Sequence, residues 1–423
     1  MIRKIIDSEV IFGIIIVTFV ISLAIVAVYR DGKDLRVGLF GIEQIKNERT
    51  PYENPTDVDR PLFRYAPGFA ILQWPFMLTS RMYQPFKFVN ITPSILAWYW
   101  TQILALALSA KMLLKLIPSP SREIGCRNLK LSFLLALPLI GYELANCQNK
   151  ILALFFMLAA LLTFKENRVF LSALLFSLAL TVYVPLVFFL LYFIIRKKEF
   201  IVSFVIAALV VFIVIPSLFF GLEFNNFLLR EWFVRTLKPF SLTTSYESYI
   251  DLRASSQSLP SAVGKLFAFG KTWQFTYLLP PVVLHFIIRI STALIVFFSL
   301  LTTWRNRKEV SKGLEYAIFL ILALILPQYC IYYTWAWLFV IYFAAFNYIS
   351  YPDVPEERKA FLRALTLILI IGSYSIAVRF LNNISVLFWT TLIFWLGAVA
   401  VLMSPGTTRR GGLNLPYGSN GEA

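Results

Sequence analysis

Asp31 and Asp34 stand three residues apart in the first long polar stretch of the chain, DGKDLRVGLFGIEQIKNERTPYENPTDVDRPLFRYAP, residues 31–67. A carboxylate held in such a stretch can act as a general base, taking the proton of a hydroxyl whose own pKa is too high for it to ionise. Other groups able to hold a polar ligand recur further along. They are Tyr52, Arg64 and Tyr65; Gln148 and Asn149; Arg253, Gln257, Ser258 and Lys265; and Gln328, Tyr332 and Tyr333. Together they offer carboxylate, amide, hydroxyl and cationic groups. That set suits the hydroxyls of a sugar and the charge of a phosphate.

Each of these residues also has a plainer reading. Asp34 is of the type that caps helices, and Asp31 beside Gly32 suits a cap or a turn. Tyr52 and Tyr65 read as interfacial aromatics. Gln148 and Gln257 read as partners for loop backbone, and the arginines and lysines as anchors for anionic headgroups. Other chemistries find no support. The sequence has no Walker motif, no strand-linked GxGxxG and no HExxH. Cys126, Cys147 and Cys330 lack metal-ligand spacing, and His285 is the single histidine. No metal, no cofactor and no nucleic-acid partner is expected.

The elements that must position these residues are membrane helices. Of 423 residues, 59% are hydrophobic and only 15% charged, with mean hydropathy +0.73. A soluble domain carries roughly 25% charged residues. Apolar runs of helical length fall at 10–29, 93–117, 128–145, 149–164, 200–221, 280–303, 314–330, 333–350, 361–380 and 384–403. The run 169–195 is too long for one span and Pro185 interrupts it, which predicts two short helices meeting near Tyr183. The run 69–78 is too short to cross and reads as re-entrant or interfacial. The fold class expected is all-α and polytopic, with about twelve spans.

The formal charge of +16 is topogenic on this reading. Lys115, Arg122, Arg127, Lys130, Lys165, Arg168, Arg196, Lys197 and Lys198 fall on one side, with Arg305, Lys308, Lys312, Arg358 and Lys359. The short turns on the other side carry little beyond Lys150 and Arg379. That asymmetry puts both termini in the cytoplasm. Two long segments, about 30–92 and 222–279, then lie outside. Residues 1–403 read as one transmembrane domain and 404–423 as a polar, disordered tail. Behind Asp34, the apolar residues Leu35, Leu39, Ile42 and Ile45 share one helical face, with Arg36, Glu43 and Lys46 off it. This predicts an amphipathic helix lying flat at the membrane interface with Asp34 at its N-terminus. Within the span 280–303, His285 and Arg289 lie one turn apart. Arg289 is a functional candidate, or a packing partner for Glu143.

Asp34-Leu35-Arg36-Val37, then Thr50-Pro51-Tyr52, then Phe63-Arg64-Tyr65-Ala66-Pro67 resemble the first external loop of glycosyltransferase family 87. That loop has a D-x-x-V-Y start, a G-x-x-P-Y segment and an F-x-Y-x-P lead into the next helix. Cys147-Gln148-Asn149 stands where the family has G-Q-x-N, and Ser256-Gln257-Ser258-Leu259 with Lys265 resembles its N-Q-S-L…R segment. The sequence departs from the pattern in three places. Thr181-Val182-Tyr183 replaces a usual lysine before Pro185. Gln328, Tyr332 and Tyr333 stand where histidine is frequent, and Ser256 and Ser261 replace asparagine and glycine.

The resemblance implies a fold of the GT-C superfamily and inverting transfer of a hexose, usually mannose. The donor implied is a polyprenyl-phosphate sugar, the acceptor a lipid or glycan, and Asp34 the base at the outer face of the membrane. The substrate-binding residues expected are Asp31, Tyr52, Arg64, Tyr65, Gln148, Asn149, Arg253, Gln257, Ser258, Lys265 and Tyr333. The competing expectation is a transporter or flippase for a lipid-linked saccharide.

Overall fold

The computed structural model describes residues 6–30, 32–52, 63–82, 93–237, 252–269, 276–306, 308–328 and 330–404. Asp31 and residues 405–423 of the tail lie outside the described residues. Among the described residues the chain is helical almost throughout. One pair of two-residue strands, Ala268–Phe269 and Thr276–Tyr277, runs antiparallel in the second long polar segment.

Among the described residues, six helices are long and apolar enough to cross a bilayer. They are Glu9–Tyr29, Arg122–Ala145, Phe200–Phe220, Val282–Arg305, Glu356–Ala377 and Val386–Met403. The first of them leaves Val10, Ile14, Val17, Ile21 and Ile25 exposed along its length. An apolar stripe of that length belongs against lipid. Two shorter helices behave oppositely. Every residue from Gly313 to Ile325 is buried, and so is nearly all of Leu338–Ser350. A helix that is apolar on all sides has to sit inside a bundle, so these two form its centre and the longer helices surround them.

The run 169–195 divides where the sequence predicts. Val169–Val182 stops at Tyr183, which is extended (φ −149°, ψ 94°), and Val184–Arg196 resumes with Pro185 in its first turn. Phe69 and Leu78 fall within a 16-residue helix, Pro67–Met82. At about 1.5 Å per residue it is shorter than a bilayer core.

The two ends of the bundle differ in chemistry. At one end Lys130 pairs with Glu9, Lys165 donates to the Lys115 carbonyl at 2.9 Å, and Lys197 donates to Asn167 at 2.7 Å. There the buried Glu315 pairs with Arg196 and accepts from Asn306 at 2.6 Å. The opposite end carries the polar residues singled out above.

The amphipathic helix after Gly32 spans Lys33–Lys46. Leu35, Ile42 and Ile45 are buried, and Arg36, Glu43 and Lys46 are exposed, as the pattern requires. Its apolar face does not rest on lipid, however. Val37, Ile42 and Ile45 join Tyr52, Phe63, Ala66, Ala70 and Met77 in a second, smaller core. Leu228 and Trp232 of the helix Leu222–Trp232 complete it, and the Trp232 indole donates to the Arg64 carbonyl at 3.2 Å. The flat interfacial helix expected from the sequence is therefore a protein-packed cap. Amphipathicity records that one face is covered, not what covers it.

Gly41 packs closely within this cap. A Cβ there would meet the Phe63 ring at 2.5 Å. The ring is 1% exposed and lies 5.7 Å from Tyr52 and 5.5 Å from Tyr65 between centroids, so it has no room to turn aside. Alanine in mid-helix normally gains about 1 kcal/mol over glycine, whereas overpacking a filled core costs about 1–3 kcal/mol. Gly41→Ala is therefore expected to lower the apparent Tm of the purified protein. A Tm at or above wild type would show that Phe63 is free to move.

Candidate active site

The site is organised by a joint between the cap and the bundle. Gly32 adopts a left-handed conformation (φ 53°), and a Cβ at that position would meet Ile95 at 2.8 Å, so only glycine fits both demands. The chain then turns into the helix Lys33–Lys46, and the Asp34 N–H donates to the Asn146 carbonyl at 3.3 Å. Gly32 occupies the capping position, and no side chain caps this helix. Asp34 lies inside the first turn, so the capping role considered for it is not the one it has. A carboxylate in a first turn lies at the positive end of the helix dipole.

Asn146 opens the turn between two bundle helices, Arg122–Ala145 and Lys150–Lys165. Cys147 within it has φ 51°. That is a left-handed conformation costly for a residue with a Cβ, which explains why a glycine suits this position in the resembling pattern. Burial, aided by the charges of Asp34 and Glu143, pushes the Cys147 thiol up to about 12. It stays protonated and does not serve as a nucleophile.

Glu143 is fully buried in the last turn of its helix. Its Oε1 accepts from the Lys150 N–H at 2.7 Å and the Ile151 N–H at 3.2 Å. The carboxylate thus caps the next helix, a task that Asn149, standing at the cap position, would ordinarily perform. Asn149 is released from it. Its amide is fully buried, and neither its nitrogen nor its oxygen has a hydrogen-bond partner. It neighbours the Tyr65 hydroxyl without reaching hydrogen-bond geometry.

Lys150 follows. Its Nζ lies over the Tyr183 ring at 4.3 Å and the Tyr65 ring at 5.5 Å from the centroids. Tyr183 is held edge-on to Trp337 at 5.3 Å, and the Trp337 indole donates to the Lys150 carbonyl at 3.0 Å. Tyr65 is fixed from behind, its carbonyl accepting from the Tyr52 hydroxyl at 2.9 Å. Burial, and after it the charge of Asp34, raises the Tyr65 phenol well above its ordinary value, and burial alone does the same for Tyr52. Both remain neutral hydroxyls. Asp34, Tyr65, Glu143, Lys150 and Tyr333 all lie within electrostatic reach of one another's neighbours in this cluster, with Asp34 acting on each of the others.

The second long segment reaches the same region by way of the turn at 328–334. Ser256 bridges to Ile331, and the Gln257 N–H donates to the Cys330 carbonyl at 2.9 Å. The Gln257 amide donates to the Ala254 carbonyl at 3.0 Å and the Asn382 carbonyl at 3.1 Å. Ser258 donates to the Gln328 carbonyl at 2.8 Å and caps the helix Leu259–Leu266. The Lys265 ammonium donates to the Ser256 carbonyl at 2.6 Å, the Ser385 hydroxyl at 3.1 Å and the Asn382 carbonyl at 3.3 Å. An ammonium has three N–H groups, and these contacts use them. Gln257, Ser258 and Lys265 thus fasten the loop that backs the site.

The remaining expected residues divide. Arg64 is exposed but close enough to act on Tyr65 and Lys150. Gln148 is buried in the turn beside Asn149, its N–H donating to the Glu143 carbonyl at 3.2 Å. Arg253 is exposed, and its carbonyl accepts from the Ser256 N–H at 3.0 Å. Glu143 does not pair with Arg289, whose Nε lies 2.9 Å from His285 Nε2. Sequence reading passed over Lys150 as a stray charge in a short turn and did not include Glu143 or Tyr183 in the site. A lysine at the very start of an apolar helix, next to an Asn in a polar turn, was the available signal.

A half-buried carboxylate, neutral phenols, an unpaired amide and a cation on aromatic faces can deprotonate a hydroxyl and hold an anionic, sugar-bearing ligand. Among curated proteins no match was found. The family model of glycosyltransferase family 87 matches residues 63–327, more than half of the chain. The match takes in Tyr65, Glu143, the 146–150 turn, Tyr183 and the 256–265 segment. It begins beyond Asp34, whose place beside these residues rests on the Asn146 contact. With this match and its apolar spanning helices, the chain belongs to glycosyltransferase family 87 and is a multi-pass membrane glycosyltransferase.

Proposed function

We propose that the protein transfers a hexose, mannose on the family resemblance, from a polyprenyl-phosphate donor to a hydroxyl of a lipid or glycan acceptor at the outer face of the membrane. Asp34 is the general base. The observation that carries this reading is that Asp34 shares one half-buried cluster with Tyr65, Lys150 and Tyr333, at the bundle end opposite the lysines and arginines. The positive-inside rule assigns the basic end to the cytoplasm and so supports an outward-facing site.

The step is a single displacement. The acceptor oxygen attacks the anomeric carbon from the side opposite the phosphate, and its proton passes to the Asp34 carboxylate. The bond from the anomeric carbon to the phosphate oxygen breaks, and its electron pair stays on the phosphate. The configuration inverts. Tyr65 and Tyr333, kept neutral, are donors for sugar hydroxyls, and Tyr52 holds Tyr65 in place. A lipid-borne donor suits a membrane protein whose sequence has no nucleotide-binding motif.

Purified full-length protein in lipid nanodiscs, given labelled polyprenyl-phosphate-mannose and a membrane lipid extract, is expected to form a labelled glycolipid. GDP-mannose without a lipid carrier is expected to give none. Efficient transfer from the nucleotide sugar alone would overturn the donor assignment.

A further inference from the structure

We propose that Lys150, with the Asn149 amide beside it, receives the donor phosphate and stabilises it as it leaves. This rests on the reading above that the donor is a lipid phosphate. The first support is the state of the Lys150 ammonium. The residue is only 9% exposed, and its Nζ has no hydrogen-bond or ion-pair partner among the described residues. Its contacts are the faces of Tyr183 and Tyr65. Aromatic faces hold a cation in place without using its N–H groups. A buried ammonium with unused donors is costly unless an anion completes it.

The second support is Asn149. Glu143 has taken over the cap of the helix Lys150–Lys165, which leaves a fully buried amide with both polar atoms unpaired. Its NH₂ group is a donor beside the ammonium, and its oxygen is an acceptor for a sugar hydroxyl. The positive end of a 16-residue helix lies directly beneath both. Because Glu143 occupies the first two amides, the ligand is met by side chains and by the dipole, not by those N–H groups.

The third support is charge movement. Before reaction Asp34 and the donor phosphodiester each carry one negative charge. As the acceptor proton neutralises Asp34, the departing phosphate gains a second. Lys150 already acts on Asp34 across the cluster, so the cation serves the charge at both ends of its path. The alternatives are weaker. The Lys265 donors are committed to Ser256, Asn382 and Ser385. Arg64 is exposed and supplements Lys150 from the rim.

The test separates phosphate binding from transfer. Binding of undecaprenyl phosphate, undecaprenol and phosphatidic acid to full-length protein in nanodiscs is compared for wild type, Lys150→Met, Lys150→Gln, Lys150→Arg, Asn149→Ala and Asp34→Asn. Wild type is expected to prefer undecaprenyl phosphate over undecaprenol. Lys150→Met should weaken that binding about 10–100-fold, the worth of a charge-assisted hydrogen bond, and Lys150→Arg should restore part of it. Asp34→Asn should bind at least as well as wild type. In transfer assays Lys150→Met should raise the donor KM and lower kcat while the acceptor KM holds. Unchanged phosphate binding in Lys150→Met would overturn the proposal. So would equal preference for undecaprenol, or equal binding of phosphatidic acid. If Lys150→Met is unfolded, Lys150→Gln and Asn149→Ala decide, and wild-type phosphate binding in both overturns the assignment. Lys150-dependent phosphate binding without mannose transfer would keep this inference and sink the transfer reading instead.

Discussion

Asp34→Asn is expected to lower kcat by about 10²–10⁴-fold with expression and apparent Tm close to wild type. The substitution keeps size and hydrogen-bonding capacity but removes the base. Stability should barely change, because Asp34 does not cap its helix and its contact with Asn146 is made by the backbone N–H. The attraction of a first-turn carboxylate to the helix dipole is worth about 0.3–1 kcal/mol. A residue whose job was structural would give the opposite pattern, with activity kept and stability reduced. Glu43, on the exposed face of the same helix, provides the control. Glu43→Gln should leave kcat unchanged. If Asp34→Asn retains more than about a tenth of wild-type kcat, far above the loss expected of a missing base, the base is another group, and Asp31 is the next to test.

Removing Glu143 should produce the largest loss of stability among the site residues. In Glu143→Ala two backbone N–H groups, those of Lys150 and Ile151, lose their acceptor in a place with no exposure. Each such orphan costs about 1–3 kcal/mol. Lys150 also loses the carboxyl group that acts on it most strongly, and with two orphaned amides the total should reach about 2–6 kcal/mol. Glu143→Gln keeps a side-chain oxygen for the two amides and should recover most of this. Thermal unfolding in one detergent, wild type against both variants, measures it. An alanine variant as stable as wild type would mean that Asn149 swings back to cap the helix. That outcome would also withdraw one support from the role given to its amide.

Much of the fold was legible because it follows from local pattern. Apolar runs and the bias of lysines and arginines to alternate connections report the membrane and the polarity of the bundle. Pro185 reports the break at Tyr183. The spacing of Leu35, Ile42 and Ile45 correctly named the buried face of the helix behind Asp34. It assigned that face to lipid because Leu228 and Trp232, which cover it, arrive from a segment nearly two hundred residues away.

What the sequence by itself determined is therefore the class of protein and the end of the bundle that bears the polar residues. These depend on residue type and periodicity, which a linear chain carries openly. Only the tertiary structure decided which polar groups remain available for a ligand. Lys265 has the residue type of a phosphate contact, yet its hydrogens go to Ser256, Asn382 and Ser385. Lys150 has the same type in an unremarkable turn, yet its ammonium is left on the faces of Tyr65 and Tyr183. Availability is what remains after every buried donor and acceptor has found a partner, and those partners come from segments far apart in the chain.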